Sequence, residues 1–206
     1  MRTHADTLAW VALGTELLVA QVAALDEAGM TEPSLLPGWT RKHLLAHVAA
    51  NADALGNLAT WARTGVPTPM YASMEQRDAD IRDGSQRPAG ELAIWVDGSA
   101  RSLATAMEAL TADQWSAEVV TAQGRTVPAT EIPWLRAREV CVHVVDLGTG
   151  LTFADLPEDF LTALGADITA KRGLDELPDG PLPDVVSYLA GRPHFLAGVP
   201  DLGPWL

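Results

Sequence analysis

Glu139 and His143 stand four residues apart in the segment Arg136-Ala137-Arg138-Glu139-Val140-Cys141-Val142-His143-Val144-Val145-Asp146-Leu147. Four residues is just over one helical turn, so on a helix both side chains project from the same face. A carboxylate and an imidazole on a core-facing stripe are costly to bury unless they are paired. Their partner must then come from another part of the chain. His47, within Leu44-Leu45-Ala46-His47-Val48-Ala49-Ala50-Asn51, lies on the apolar side of a second predicted helix. Two imidazoles and one carboxylate on facing helices would hold a divalent cation and leave a position open for a ligand. Spacing alone leaves an alternative standing. Glu139 would pair with Arg136 or Arg138, and His47 would be a hydrogen-bonded core histidine, because an E-x-x-x-H pair arises often by accident.

The rest of the chain supplies the helices such a site needs. Leu8, Val11, Ala12, Leu18, Val22 and Leu25 repeat at helical spacing and predict a first helix from about Ala5 to Ala28, ended by Gly29. Prolines and a glycine make Thr31 to Trp39 a connector. Thr40 is the expected N-cap of a second helix running to about Arg63, with His47 on its inward side. A short helix is predicted from about Ser73 to Ile81, and a third long helix from about Pro88 to Leu110. Residues 115–127 read as a loose hairpin or an extended crossover. A fourth long helix spans about Ala129 to Leu147, with Pro133 in its first turn. Beyond residue 150 the chain offers a helix opened by Leu156-Pro157-Glu158-Asp159, a loop rich in proline, glycine and acid over 173–183, a short helix from about Leu182 to Ala190, and an irregular apolar end. Four long amphipathic segments joined by long connectors predict a mainly α fold, a four-helix bundle with a small C-terminal appendage.

With 206 residues the chain fits one domain plus a small appendage. Its net charge of −13 leaves no basic stripe for phosphates, so nucleic acid is not an expected partner. A single cysteine, Cys141, rules out an intrachain disulfide and a thiolate-rich zinc cluster. No signal peptide is read at the amino end, and charges interrupt the apolar runs before membrane-spanning length. The expectation is a soluble, cytoplasmic protein that does not engage a membrane.

Around the triad, Asp146 is three residues past His143 and would either orient its imidazole or serve as a helix-end carboxylate or salt-bridge partner, the second being favoured. Cys141 points away from the Glu139–His143 face and reads as a small buried filler. His43 reads as a surface or capping residue. Arg77, Arg82 and Arg192 are candidates for binding carboxylates, because a guanidinium meets that planar anion with two parallel hydrogen bonds. Solvated surface arginine is the competing reading for each.

Taken in order, Leu36-Pro37-Gly38-Trp39-Thr40, the run Ala46 to Leu55, Pro69-Met70-Tyr71 and Pro133 to Leu147 resemble the mycothiol-dependent maleylpyruvate isomerase family, within the DinB-like four-helix metalloproteins. The resemblance spans about residues 1–150 and returns at Leu189-Ala190-Gly191-Arg192 and Trp205. It implies a DinB-like metal-binding bundle over 1–150. It also implies a small region over 151–206 similar to a shortened isomerase C-terminal domain, since the stretch between about Lys171 and Pro183 is too short for the strands common there. A divalent metal, usually zinc, on His47, Glu139 and His143 is implied, with mycothiol as cosubstrate and a small unsaturated keto acid as substrate. In such an isomerase a metal-held thiolate adds to the conjugated double bond of maleylpyruvate, the new single bond rotates, and loss of the thiol gives fumarylpyruvate. Family position makes Arg82 and Arg192 the residues expected to hold carboxylates and stabilise the enolate. A monomer is expected. Two other readings stay open on the same scaffold: a mycothiol S-transferase acting on an electrophile, and a non-catalytic metal- or ligand-binding module.

Overall fold

The computed structural model describes residues 2–205. The chain divides into two compact units, His4–Thr149 and a second made of the residues before His4 together with those from Gly150 onward. The first contains α1 (His4–Ala23), α2 (Glu27–Thr31), α3 (Arg41–Thr64), α4 (Met74–Gly84), α5 (Ala89–Glu108), α6 (Ala112–Trp115), β1 (Glu118–Val120), β2 (Thr126–Pro128) and α7 (Ile132–Asp146). The second contains α8 (Glu158–Arg172) and α9 (Leu182–Leu189), which pack on each other. The fold is mainly α, and α1, α3, α5 and α7 form the predicted four-helix bundle. In it α1 lies along α7 and α3 along α5, α3 also meets α7, and α1 meets α5 least.

The central helix is α3. Its start is fixed by Thr40, whose hydroxyl accepts from the His43 N–H, and its end by Gly65, which takes a left-handed φ of +71° and returns its N–H to the Trp61 carbonyl. Leu44, Leu45, Ala46, Val48, Ala49, Leu55 and Leu58 are all fully buried. More than one face of α3 is therefore covered, because α4, α5 and α7 pack around it.

The first predicted helix is two. α1 ends at Ala23, and α2 starts afresh after Asp26, whose carboxylate accepts from the Gly29 N–H at 2.8 Å. Gly29 thus lies inside a helical turn that Asp26 caps rather than stopping the helix before it. Two close approaches set the packing. A Cβ on Gly14 would stand 2.6 Å from the Cys141 Sγ, so α1 and α7 meet nearly backbone to backbone there. A Cβ on Gly84 would stand 2.6 Å from the Trp95 ring and 2.9 Å from the Ala46 Cβ, so Gly84 is where α4 seats on α3 and α5.

Residues 115–127 resolve into the end of α6 and a two-stranded antiparallel hairpin, β1 against β2, with Val119 opposite Val127. α7 follows one turn of 3₁₀ helix at Ala129–Glu131 and tolerates Pro133 in its first turn, where the missing N–H has no intrahelical acceptor to lose. Contrary to the sequence expectation, one described helix, α1, is long and apolar enough by length and composition to cross a membrane. Its Trp10, Gly14, Leu18 and Val22 are buried in the bundle. In the second unit Arg172 binds the chain end, donating to the carbonyls of Leu189, Leu202 and Gly203 at 3.0, 2.7 and 2.9 Å.

Candidate metal centre

His47, on α3, and Glu139 and His143, on α7, converge. The Nε2 of His47 lies 3.1 Å from Glu139 Oε2, and the Nε2 of His143 lies 3.3 Å from the same oxygen. The two imidazoles meet edge to face with centroids 5.1 Å apart. One ligand atom from each of the three residues lies within 4.8 Å of the others, a grouping that could hold a metal ion. The E-x-x-x-H spacing placed Glu139 and His143 on one helical face, and the crossing of α3 and α7 brings His47 to it.

Asp146 decides how His143 is presented. Its Oδ2 lies 2.8 Å from His143 Nδ1, and Asp146 is wholly buried. Sequence reasoning favoured a helix-end or salt-bridge role. Instead, the carboxylate holds the imidazole with Nδ1 toward it and so turns Nε2 toward Glu139 and His47. That Nε2 is buried and has no hydrogen-bond partner, because its approach to Glu139 is not aligned for one. An orphaned imidazole nitrogen beside a carboxylate and a second imidazole fits a divalent cation with nitrogen and oxygen ligands.

The charges agree with this geometry. Burial alone would raise the Glu139 carboxyl, but the imidazoles of His143 and His47 beside it outweigh that and hold the group well below the ordinary carboxylate range. Burial would lower His143, yet Asp146 first and Glu139 second push it up to about 9. His47 goes the other way, lowered by burial that Glu139 only partly offsets.

Arg136, one of the two arginines weighed as a partner for Glu139, makes its hydrogen bonds elsewhere. Arg136 is 1% exposed and turns to α3, where its Nη1 donates to the Val48 carbonyl at 2.7 Å and to Asn51 Oδ1 at 3.1 Å. It ties α7 to the turn of α3 that follows His47. Cys141 is the inert filler expected, fully buried, 3.6 Å from the Trp10 carbonyl and pushed up to about 12 by burial. His43 lies at the capped first turn of α3, its Nδ1 2.8 Å from Thr40 Oγ1.

Residues 11–148 match the mycothiol maleylpyruvate isomerase N-terminal domain family. The chain belongs to that family. It is also similar to the crystal structure of the mycothiol-dependent maleylpyruvate isomerase, with 40% identity and a TM-score of 0.91 over 99% of this chain and 98% of that one. A histidine-to-alanine mutant of that enzyme superposes with a TM-score of 0.90 at 39% identity, with the same coverage. No curated protein matches significantly. Against solved isomerases the likeness therefore runs through both units.

The arginine that this family member brings to the triad is not the one expected from sequence. Arg82 has a side chain 67% exposed and lies beside Asp83, 3.5 Å away. Five positions earlier, about 140° around α4, Arg77 places Nη2 3.3 Å from His47 Nδ1 and its guanidinium 5.9 Å from the Tyr71 ring. Arg77 was among the three candidate arginines; Tyr71 had no assigned role. Trp39 sets its ring edge to face against His47, with centroids 5.6 Å apart. Arg192 belongs to the second unit, where it is buried and donates to the Ala190 carbonyl at 2.6 Å.

Proposed function

We propose that this protein is a metal- and mycothiol-dependent isomerase of the maleylpyruvate isomerase type, turning the cis double bond of an unsaturated keto acid to trans through reversible thiol addition. The observation that carries this reading is the orphaned Nε2 of His143, aimed at Glu139 and His47 in a chain 40% identical to a solved isomerase. His47, Glu139 and His143 would hold the metal, and zinc is the ion that two imidazoles and one carboxylate with an open position suit best. When bound, the metal lowers the pKa of a thiol and keeps it as thiolate at neutral pH.

The chain's own groups do the rest. Asp146 keeps a proton on His143 Nδ1 and so keeps Nε2 available. Glu139 stays anionic at neutral pH. Arg77 donates to His47 Nδ1, which leaves that nitrogen unprotonated and sets Nε2–H toward Glu139. If Nε2 serves as a ligand instead, the imidazole proton belongs on Nδ1, which then no longer accepts from Arg77. The guanidinium becomes free to take a substrate carboxylate with two hydrogen bonds and to stabilise the enolate. Tyr71, raised by burial and by Glu139, stays protonated beside it as a donor. Arg192 enters this reading by family position alone.

The balance is simple. Thiolate adds to one alkene carbon, the electron pair moves to an enolate, the resulting single bond rotates, and expulsion of the thiolate restores the double bond as trans. The thiol is returned. We read the protein as a cytoplasmic monomer acting on small molecules. The test is turnover of maleylpyruvate by the zinc-loaded chain with substoichiometric mycothiol, following product and free thiol together. Many turnovers with constant thiol are expected. Stoichiometric thiol loss would make it a transferase, and no turnover with zinc bound would make it a binding module.

A further inference from the structure

Arg136 is a buried cation whose hydrogen bonding is only partly complete. It is among the largest fully buried side chains. Burial pushes it down to about 10, so it still carries its charge at neutral pH. A guanidinium has donors on all of its nitrogens. Nη1 uses its own on the Val48 carbonyl and Asn51 Oδ1. Nε and Nη2 are buried with no hydrogen-bond partner. Unmet buried donors are rare in native proteins, and a charged one is costlier than a neutral one.

Its position says which acceptor those donors suit. On α7 Arg136 precedes Glu139 by three residues and His143 by seven, so the three share one face. On α3 its acceptors are Val48, next to His47 in sequence, and Asn51, four residues beyond His47 and on the same face. Arg136 and Asn51 thus form the layer of the α3–α7 seam that adjoins the triad. Of the groups around Arg136, Glu139 does most to favour its charge, ahead of Asp53 and Tyr71.

Glu139 itself is turned to the imidazoles. Its Oε2 lies 3.1 Å from His47 Nε2 and 3.3 Å from His143 Nε2, and the hydrogen bond it takes part in is with His47. A cation among these groups takes both imidazole nitrogens as ligands, and the carboxylate then has an oxygen without a donor. Side chains that bind metals are held from behind by a further hydrogen bond, as His143 is by Asp146. We infer that Arg136 is a positioning residue of the metal centre: Nε and Nη2 bind the Glu139 oxygen that does not meet the metal, while Nη1 holds the turn of α3 behind His47. Held this way, Glu139 offers the metal one oxygen and leaves a position for the thiol. The inference rests on the metal-centre reading and adds what fixes the carboxylate and the spacing of the two helices.

Zinc affinity of the full chain, measured by competition with a chromophoric chelator, tests it together with the Tm of the metal-free protein. Arg136→Met fills the volume without charge or donors, and Arg136→Lys keeps the charge without the fork. Both are expected to weaken zinc binding about 10- to 100-fold. The metal-free Tm should hold or rise in Arg136→Met, because a buried charge with unmet donors is removed. A packing tie alone would lower affinity and Tm together. In the cobalt-loaded chain the visible bands, intense for tetrahedral sites and weak for higher coordination, should weaken in Arg136→Met as the released carboxylate turns both oxygens to the metal. Should Arg136→Met not fold, Arg136→Lys decides alone. Wild-type zinc affinity in the variants, or affinity lost only in step with the metal-free Tm, overturns the inference and leaves the metal centre standing. No zinc binding by the wild type overturns the metal centre and this inference with it.

Discussion

The seam between α3 and α7 and the seam between α1 and α5 are built on opposite terms. Where α3 meets α7, Asn51, Arg136, His143 and Asp146 are buried. Where α1 approaches α5, apolar residues such as Leu8, Val11, Ala104 and Met107 line an open groove of about 460 Å³. Only 28% of the most apolar stretch of α1 is buried. Between these two seams, therefore, depth does not follow side-chain hydrophobicity. Single apolar groups at a surface cost little. Ionisable groups inside cost a great deal unless each one completes another. Asp146 completes His143, His47 and Glu139 share a proton, and His143 Nε2 remains the one unmet member of that chain.

The contrast can be broken most severely at the triad. His143→Ala or Glu139→Gln is expected to abolish stable zinc binding, read as metal content after dialysis. Retention at wild-type level in both would remove them from the site. Next in size is Arg77→Ala, which should lower kcat/KM for maleylpyruvate about 10- to 100-fold with zinc retained, the worth of a charge-assisted carboxylate contact. Arg82→Ala should stay near wild type. Gly84→Ala sharpens the point, because lifting α4 off Ala46 and Trp95 should give the Arg77 defect with no charge removed.

The pH dependence comes third. His143 is raised from 6.5 to about 9 in the metal-free protein, so its protonated form stabilises that fold. The contribution is complete below 6.5 and is lost as pH rises through about 9. The Tm of metal-free protein should fall across that window. Zinc loading within it should release about one proton, measured by calorimetry in buffers of different ionisation enthalpy. A flat melting profile and no proton release would contradict the role given to Asp146. The smallest effect is expected at the other seam. Leu8→Ala, in the α1–α5 groove, should cost at most about 0.5 kcal/mol and leave zinc content and kinetics unchanged.

Much of the bundle was legible because helical spacing is a local property. The apolar stripes of α3 and α7, the Thr40 cap and the Glu139–His143 pair are all written within one or two turns. The break between α1 and α2 was legible too, in Asp26 three residues before Gly29, but the glycine drew the reading as a stop. The choice of Arg77 over Arg82 was not. α4 is polar around most of its circumference, and the face it offers α3 is set by the seating of Gly84 against Ala46 and Trp95, a contact between residues far apart in the chain. Asp146 had the right spacing for His143, but its complete burial depends on what surrounds the end of α7.

X-ray absorption at the zinc edge of the loaded, thiol-free full chain tests the central claim most directly. The account predicts a first shell of nitrogen and oxygen only, with multiple scattering from two imidazoles that falls to one in His47→Ala. A shell containing sulfur, or a two-imidazole signal that survives unchanged in that variant, would contradict it.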